Sequence, residues 1–451
     1  MAETVWVTVA DLEKAGQLLV QDGNHGEYRP RRNEFVESGV AFIRAADMSD
    51  GRVRFDRASN INEVAAKRIT KGIGRPGDVI LSHKGTVGKV ALAPDDAPLF
   101  VCSPQTTFWR TLNPQKIDRR YLYVFLRSPI FRQQLASRAG ETDMAPYVSL
   151  TSQRGFRVAL PPIEDQRRIG VMVGALDDKI EMNRRMNETL EAMARAIFKD
   201  WFVDFGPTRA KMEGCRPDIA PDVCALFPDR MDAEGQPEGW IASPVRQYFS
   251  VERGLSYKGD FLSTSGTPMV NLACFKGEGL FDGAGLKYYT GAFKPRHAAS
   301  PGTLLIANTD LTQQRVVLGS PYIVDENIGR DAIFSHHVYA LRPRSTGAAD
   351  WTSFFYFHLL RPEFRARARG FATGTTVLFL PKDAIEDFEF AMPPANLRRC
   401  FDKLVAPLRD KQRANEAESR TLAAIRDLLL PKLMSGQIHI RDAEAMIAAA
   451  A

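Results

Sequence analysis

The chain has 451 residues, of which 44% are hydrophobic and 25% charged, with a formal net charge of +6 at pH 7. This composition excludes a fully disordered chain, a collagen-like fibre and a small disulfide scaffold, and the length predicts two large structural units with connectors, or three smaller ones. The five cysteines are scattered without Cys-x-x-Cys spacing, which argues against a zinc ribbon or a redox motif. There is no secretory signal pattern and no apolar run of ~18 residues, so we expect a soluble cytoplasmic protein.

The predicted elements of residues 1–160 are short strands and short helices. Runs at 78–82 and 89–93 are rich in Val, Ile and Leu and are bounded by Gly or Pro, which indicates strands. Runs at 63–71 and 119–128 have helical patterns, and a proline follows the second one. Residues 1–160 are therefore predicted to form a mixed α and β domain.

A long helix is predicted within residues 161–203, after Pro161 and Pro162. Its apolar residues recur at alternating steps of four and three, sustained for about four heptads, which is typical of a coiled coil. Two asparagines continue the pattern. The predicted seam consists of Ile169, Val173, Leu176, Ile180, Asn183, Asn187, Leu190, Ala194 and Ile197.

Residues 204–239 contain five prolines and are interpreted as an irregular connector. The aromatic residues Trp201, Phe202 and Phe205 lie at the exit of the first long helix. We expect them to pack either on the following domain or on a partner subunit, and the sequence does not decide between the two.

Residues 240–392 are predicted to form a second mixed α and β domain, with a strand at 303–307 and a helix at 351–360. A second heptad helix is predicted within 393–434, and residues 435–451 are predicted to be a tail that ends in a frayed helix. The seam predicted for the second long helix consists of Phe401, Leu404, Leu408, Lys411, Asn415, Glu418, Leu422, Ile425 and Leu429.

The chain repeats itself at offsets of 225 to 234 positions in constant order. Residues 75–82 resemble 300–307, residues 121–129 resemble 354–362, and a Leu-Pro-Pro sequence at 160–162 resembles Met-Pro-Pro at 392–394. An ordered set of matches indicates duplication of one unit, a globular domain followed by a long helix.

The two asparagines give a prediction about helix orientation. Asn183 lies midway between Ile169 and Ile197, and Asn415 lies midway between Phe401 and Leu429. In an antiparallel pair these amides could meet, and a buried polar pair fixes register at a cost in stability. Helices of this length, roughly 50 Å at ~1.5 Å per residue, would hold the two domains at opposite ends of a rod. The alternative is that each helix docks on its own domain.

The charge distribution fits a nucleic-acid ligand. Residues 1–160 carry a net charge of +6 and residues 161–239 a net charge of −5. Basic side chains displace condensed counterions from phosphates, so cationic domains favour DNA or RNA binding.

The order of these elements resembles the specificity subunit of a type I restriction–modification system. The sequences at 160–169 (LPPIEDQRRI), 201–207 (WFVDFGP), 430–438 (LPKLMSGQI) and 77–88 (GDVILSHKGTVG) are similar to conserved regions of that family. The resemblance covers the chain to about residue 440. It implies two target-recognition domains, each reading half of a bipartite double-stranded DNA target, separated by a helical spacer.

The resemblance also implies partners and cofactors. It implies two methyltransferase subunits that modify adenine N6, joined by restriction and translocase subunits, with no membrane partner. S-adenosylmethionine, ATP and Mg²⁺ would be used by those partners, and this chain would need no cofactor, no metal and no catalytic residue of its own.

Polar residues in predicted loops are the candidates for DNA contact. Arg and Lys suit guanine edges or phosphates, whereas Asn and Gln suit adenine. In the first domain the candidates are His83, Lys84, Thr86, Lys89, Gln105, Tyr147, Ser149 and Arg154. In the second domain they are Asn308, Thr309, Gln313, Arg315, Arg330, His336, His337 and Thr375.

Apparent catalytic motifs do not fit their required contexts. The G-x-G-x-x-G string at 72–77 follows a helical pattern and precedes a strand, which is the reverse of a dinucleotide site. Asp177 and Asp178 lie in the heptad helix, where a solvated flank is the better interpretation than a nuclease centre. The remaining alternatives are a self-contained nuclease, which would need a metal-binding carboxylate cluster, and a protein-interaction scaffold built on the coiled coil.

Overall fold

The computed structural model describes residues 4–139, 146–329, 331–344 and 352–448. The chain divides into two compact units. The first unit comprises Met1–Arg185 together with Glu418–Ala451, and the second comprises Met186–Ala417.

The helices of the described residues range in length from 4 to 41 residues. They are α1 (Val9–Lys14), α2 (Glu63–Arg68), α3 (Arg119–Arg127), α4 (Pro129–Ala139), α5 (Leu150–Arg154), α6 (Ile163–Phe202), α7 (Gly206–Met212), α8 (Pro221–Cys224), α9 (Thr352–Leu360), α10 (Pro362–Gly370), α11 (Asp383–Glu386), α12 (Ala395–Ser435) and α13 (Ile440–Ala448).

The helix ends follow local sequence chemistry. Asp118 caps α3, because its Oδ1 accepts a hydrogen bond from Tyr121 N at 2.9 Å. Helix α6 begins directly after Pro162, with Glu164 and Asp165 in its first turn, where negative charge is favourable. Gly436, with a φ of +73°, follows the end of α12 in the left-handed conformation that glycine favours.

The strands of the first unit are β1 (Val5–Thr8), β2 (Leu18–Asp22), β3 (Phe35–Val36), β4 (Val40–Ile43), β5 (Met48–Ser49), β6 (Arg52–Val53), β7 (Ser59–Ile61), β8 (Ile73–Gly74), β9 (Val79–Ser82), β10 (Val90–Leu92), β11 (Phe100–Cys102), β12 (Thr106–Thr111) and β13 (Arg157–Leu160). They form a sheet of order β2-β12-β9-β10-β6-β5, a second sheet of order β3-β7-β4-β11-β8, and the antiparallel pair β1-β13. The main core lies between the first of these sheets and α3, and it contains buried Trp109, Tyr121, Phe125 and Phe131.

The strands of the second unit are β14 (Ile241–Pro244), β15 (Phe249–Arg253), β16 (Leu262–Ser263), β17 (Thr267–Val270), β18 (Phe275–Gly277), β19 (Leu280–Phe281), β20 (Lys287–Tyr289), β21 (Leu304–Ala307), β22 (Thr309–Asp310), β23 (Pro321–Ile323), β24 (Ile333–Phe334), β25 (Val338–Pro343), β26 (Leu378–Phe379) and β27 (Glu389–Met392). The sheets have the orders β15-β25-β21-β23 and β16-β20-β17-β24, with the pairs β14-β27, β18-β19 and β22-β26. Trp201 and Phe202 are buried in the core of this unit beside Trp240, Phe354 and Phe401. Of the two alternatives for the aromatic cluster, the structure therefore shows packing on the second domain.

The duplication is visible in the strand pairings of each unit. In the first unit β12 lies between β2 and β9, and all three are antiparallel to their neighbours. In the second unit β25 lies between β15 and β21 in the same way. The predicted fold class, an α+β protein with two tandem domains and two long helices packed antiparallel as a coiled coil, is confirmed.

Each unit contains one half of the helix pair, and the direction is antiparallel in both. In the first unit Asp177 contacts Arg426 and Asn183 contacts Glu418. Later residues of α6 therefore contact earlier residues of α12, which shows that the two helices run antiparallel. In the second unit Asn187 contacts Asn415, and Phe198 packs on Phe401 with ring centroids 5.7 Å apart.

Most predicted seam positions are shielded from solvent. Ile169, Val173, Leu176, Asn183, Ala194, Phe401, Asn415, Leu422 and Leu429 are buried, and Ile180, Asn187, Leu190, Ile197, Leu408, Glu418 and Ile425 are partly buried. Two assignments on α12 were wrong, because Leu404 is 46% exposed and Lys411 is exposed. Val405 is buried in place of Leu404. It follows Phe401 by four residues rather than three, and residues four apart lie on the same face of a helix.

The predicted frayed tail was also wrong for residues 440–448. Helix α13 places Ile440 and Ala443 in the core of the first unit, and Arg168 Nη2 lies 2.9 Å from Glu444 Oε1. Within the described ranges, none of the helices combines the length and the apolar character required to cross a bilayer.

Candidate nucleic-acid interface

Four chain segments of the first unit meet at one end of its main sheet. They are the exits of β2 and β9, the turn before β12 and the segment before α5. His83 N donates to Gln105 O at 2.9 Å, and His83 O accepts from Val148 N at 2.9 Å. Gly23 N donates to Thr106 O at 2.9 Å. The backbone therefore holds four loops in a fixed arrangement at this sheet end.

The second unit has the same hydrogen-bond frame. Asn308 N donates to His337 O at 3.0 Å, and Asn308 O accepts from Leu380 N at 2.8 Å. Gly254 N donates to Val338 O at 3.2 Å. Each of these bonds corresponds to one in the first unit, so the two sheet ends are equivalent sites.

The side chains at equivalent positions differ in charge and in hydrogen-bonding type. The strand registers place Asp22 of the first unit where the second unit has Arg253, because Asp22 pairs with Thr107 and Arg253 pairs with Tyr339. The other equivalent pairs are His83 with Asn308, Lys84 with Thr309, Gln105 with His337, and Tyr147 with Phe379. One backbone frame thus presents two different chemical surfaces.

His83 is the buried centre of the first site. Its Nδ1 lies 2.9 Å from the Val148 carbonyl oxygen, which can only accept, so Nδ1 carries the proton. Burial lowers the pKa of His83, so the ring is neutral at pH 7. Its Nε2 is then an acceptor, and it lies 3.7 Å from Oδ1 of Asp22.

Exposed side chains surround this histidine. The ring of Tyr147 is 5.5 Å from that of His83, and Lys84 Nζ lies 5.8 Å from the centroid of the Tyr147 ring. Gln105 and Thr86 are also exposed. These four exposed residues can meet a ligand without any rearrangement.

The remaining candidates of the first unit have structural partners. Lys89 Nζ donates to Ala45 O at 2.9 Å and to Met48 O at 3.1 Å. Ser149 caps α5, and Arg154 forms an ion pair with Glu13 at 2.7 Å. In this arrangement Lys89 and Ser149 support the loops rather than offer free polar groups.

Asn308 and Thr309 of the second unit are buried, contrary to the expectation that they are exposed and contact DNA bases. Asn308 Nδ2 donates to His336 O at 3.1 Å, and Thr309 Oγ1 donates to Asn308 Oδ1 at 2.7 Å. Their polar groups are used within the protein, so they position the loop beside them.

His336 and His337 are partly buried next to this loop, with ring centroids 3.9 Å apart. Burial lowers the pKa of both imidazoles, and the nearby Arg253 lowers them further. Both rings are therefore neutral at pH 7 and act through hydrogen bonds and stacking rather than through charge. His337 Nδ1 lies 3.1 Å from Thr309 Oγ1.

The other candidates of the second unit lie on neighbouring loops. Gln313 Nε2 donates to Thr375 O at 2.5 Å, and both residues are exposed. Arg315 Nη1 donates to Arg369 O at 2.6 Å. Arg330 lies outside the described residues.

Sequence reasoning missed several residues at these sheet ends. In the first unit the exposed arginines of the Arg29-Pro30-Arg31-Arg32 run lie in the chain between β2 and β3, and such a basic run is a recognisable sequence signal. In the second unit Arg253 lies over the Phe379 ring at 5.3 Å, and Lys287 Nζ donates to the Tyr257 hydroxyl at 2.9 Å. Within the described ranges, no cluster of three or more His, Cys, Asp or Glu side chains is arranged to bind a metal ion.

Comparison with known proteins agrees with this geometry. Residues 23–192 match the family model described as "Type I restriction modification DNA specificity domain". Residues 23–192 are therefore similar to a type I DNA specificity domain. The specificity subunit of the type I restriction enzyme MjaIX from Methanocaldococcus jannaschii is 23% identical over 395 residues, covering 85% of this chain and 82% of the relative. The specificity subunit of HindI from Haemophilus influenzae is 24% identical over 453 residues, covering 90% of this chain and 96% of the relative.

A solved structure shares the fold of the whole chain. The S subunit of a type I restriction–modification system from M. genitalium superposes with a TM-score of 0.54 at 16% identity, covering 96% of both chains. The predicted resemblance to type I specificity subunits is confirmed. The relatives are named as specificity subunits, which agrees with the expectation of a DNA target-recognition chain rather than a catalytic one.

Proposed function

We propose that this type I specificity subunit reads a bipartite, asymmetric DNA target, one half through each domain. The observation that carries the proposal is that the two units share one backbone frame but differ in the side chains on it. The clearest difference is Asp22 in the first site and Arg253 at the equivalent position of the second. Identical sites would favour a symmetric target, whereas different sites on one frame favour two different half-sites.

The chemistry of the two sites supports different base preferences. The first site presents the partly exposed carboxylate of Asp22 together with the exposed Lys84 and Gln105, whereas Nε2 of His83 is buried. Carboxylates accept from cytosine N4, and amides pair with adenine. The second site presents the guanidinium of Arg253, which suits the O6 and N7 acceptors of guanine.

The proposal includes partners that supply the chemistry. Two methyltransferase subunits would modify adenine N6 and would use S-adenosylmethionine. Restriction and translocase subunits would cleave DNA and would use ATP and Mg²⁺. This chain would direct them in the cytoplasm by its choice of DNA sequence.

The test is a map of N6-methyladenine in DNA from cells that contain the methyltransferase partner with and without this chain. We expect methylation at one bipartite sequence only when the chain is present. Exchange of residues 1–160 for the same region of a relative should alter one half of that sequence and leave the other half unchanged. Unchanged methylation in every strain would overturn the proposal.

A pair of deletion variants separates recognition from spacing. Deletion of one heptad from each of α6 and α12 should shorten the gap between the half-sites without altering the sequence of either. A matched control deletes three residues from each helix, which breaks the heptad phase and should abolish methylation rather than shift the gap. Altered half-site sequences after the heptad deletion would contradict separate recognition and spacing.

A further inference from the structure

In the second unit the loop after β22 and the loop before β26 extend side by side from this short antiparallel strand pair. Thr309 pairs with Phe379 and Asp310 pairs with Leu378. Continued by one residue, this register places Leu311 across from Val377. Beyond them, Gln313 Nε2 donates to Thr375 O at 2.5 Å, so the loops remain joined. We call residues 311–314 and 374–377 the paired tip.

The paired tip exposes apolar side chains directly above a buried pair. Asp310 and Leu378 are each 1% exposed, whereas Leu311 is 65% and Val377 is 46% exposed. Residues 308–310 are all buried and residues 311–314 are all exposed, so the tip extends beyond the sheet into solvent, where exposed residues are usually polar. Two exposed apolar side chains at one loop tip, with the polar Gln313 and Thr375 beside them, can contact an apolar group of a ligand.

The base of the tip is held rigidly. The Asp310 carboxylate accepts from Thr312 N and Thr312 Oγ1, both at 2.8 Å, and from Val317 N at 2.9 Å. Arg365, which is buried, donates to Val316 O at 2.7 Å. Because hydrogen bonds fix both ends of this loop, ordering the loop when a ligand binds costs little conformational entropy.

The tip is continuous with the candidate nucleic-acid interface. Thr309, at the root of the first loop, contacts His337 Nδ1 at 3.1 Å. Phe379, at the root of the second loop, lies beneath the Arg253 guanidinium at 5.3 Å. Hydrogen-bonding and cationic groups at the root therefore adjoin an apolar pair at the tip.

We propose that the paired tip enters the major groove and recognises a thymine through contact of Leu311 and Val377 with its 5-methyl group. The major groove is wide enough for two adjacent chains, and the thymine methyl is the apolar group among its base edges. This inference rests on the proposed function and assigns a base preference to the second domain. The first unit differs here, because its corresponding loop carries exposed Gly85 and Thr86.

The test replaces thymine by deoxyuridine, which lacks only the methyl group, at each thymine of the half-site that the second domain reads. The full chain with its methyltransferase partner is titrated against these duplexes. We expect one substitution to weaken binding about fourfold, the effect of one buried methyl group. In the Leu311→Ala/Val377→Ala variant the same substitution should have no further effect.

The control is Leu280→Ala, which removes a leucine of similar exposure (61%) elsewhere in the second unit and should keep the full deoxyuridine effect. A half-site without an A·T pair, or normal binding of every deoxyuridine duplex, would overturn the inference while leaving the proposed function intact. Loss of methyltransferase association in the double variant, with DNA binding retained, would identify the tip as a protein-binding surface instead. Absence of any sequence-selective binding by the native complex would contradict the proposed function itself.

Discussion

The side-chain amide of Asn415 donates from Nδ2 to Oδ1 of Asn187 over 2.8 Å in the helix pair of the second unit. Asn415 is 1% exposed. Asn187 also donates to Gln412 O at 3.1 Å, and Gln412 donates back to Asn187 O at 3.0 Å. Buried amides favour one register of a coiled coil, because a shifted register would leave them unpaired.

Replacement of Asn187 by Ala should lower the free energy of unfolding of the second unit by about 1–3 kcal/mol, because Asn415 loses an acceptor while it stays buried. Denaturant unfolding, followed by hydrogen exchange of amides in residues 186–417, measures this change. The double variant Asn187→Leu/Asn415→Leu removes both polar groups together and should recover the loss. A double variant less stable than Asn187→Ala would contradict this account.

Asp177 on α6 joins the α/β domain of the first unit to both of its long helical segments. Its carboxylate contacts Arg127 on α3, and it accepts from Arg426 Nη1 on α12 at 2.8 Å. The Asp177 side chain is 11% exposed and that of Arg426 is 19% exposed. Burial alone would lower the pKa of Arg426, but its salt bridges with Asp427 and Asp177 outweigh burial and raise the pKa.

Asp177→Asn should therefore destabilise the first unit by about 3 kcal/mol, because the partly buried guanidinium of Arg127 loses its countercharge and that of Arg426 keeps only the exposed Asp427. The neighbouring Asp178 provides a matched control. It pairs with Arg52, but its side chain is 59% exposed, so Asp178→Asn should cost less than about 1 kcal/mol. Equal effects of the two substitutions on the free energy of unfolding would show that Asp177 is not a structural anchor.

The carboxyl of Glu181 links the stability of the first unit to pH. Burial alone would raise its pKa, but hydrogen bonds from Arg184 and Arg185 outweigh burial and lower the pKa to about 2. A carboxyl whose pKa is lower in the folded state stabilises that state above its unfolded pKa, near 4.5. This stabilisation is lost as the pH falls from there toward about 2. Unfolding measured between about pH 6 and pH 2.5 should show a smaller loss of stability for Glu181→Gln than for the native chain, and parallel curves would exclude this role.

The helix α13 should contribute to the stability of the first unit. Ile440→Ala should lower its free energy of unfolding by about 2–4 kcal/mol, since Ile440 is 8% exposed and its truncation leaves a cavity. Met446→Ala on the same helix should have little effect, because Met446 is 40% exposed. Thermal unfolding distinguishes the two variants, and a frayed tail would make both of them neutral.

The heptad periodicity of the sequence was sufficient to predict the helix pair. The sequence was not sufficient to predict which residues become neighbours through the pairing of strands. The seam from Ile169 to Leu176 follows from spacing alone, but the exposure of Leu404 depends on which of two neighbouring residues faces the partner helix. Asp22 and Arg253 became comparable only when their partners on β12 and β25 were known. Asn308 and Thr309 were predicted to contact DNA because they are polar and follow a strand. Their burial is set by the hydrogen bonds to His336 and His337, which are distant in sequence.

Arg253 should set one position of the second half-site. It is exposed at the exit of β15, and its Nε donates to His336 O at 3.1 Å, which orients the guanidinium. Arg253→Gln should weaken binding of the native target about tenfold and relax the base preference at one position, because a well-placed arginine–guanine contact contributes about 1–3 kcal/mol. Asp22→Asn is the matched change in the first site and should alter the other half-site only. Methylation of a randomised target library by the complete methyltransferase complex measures both variants. If Arg253→Gln instead weakens binding of all sequences equally and reduces the salt dependence, Arg253 contacts phosphate rather than a base.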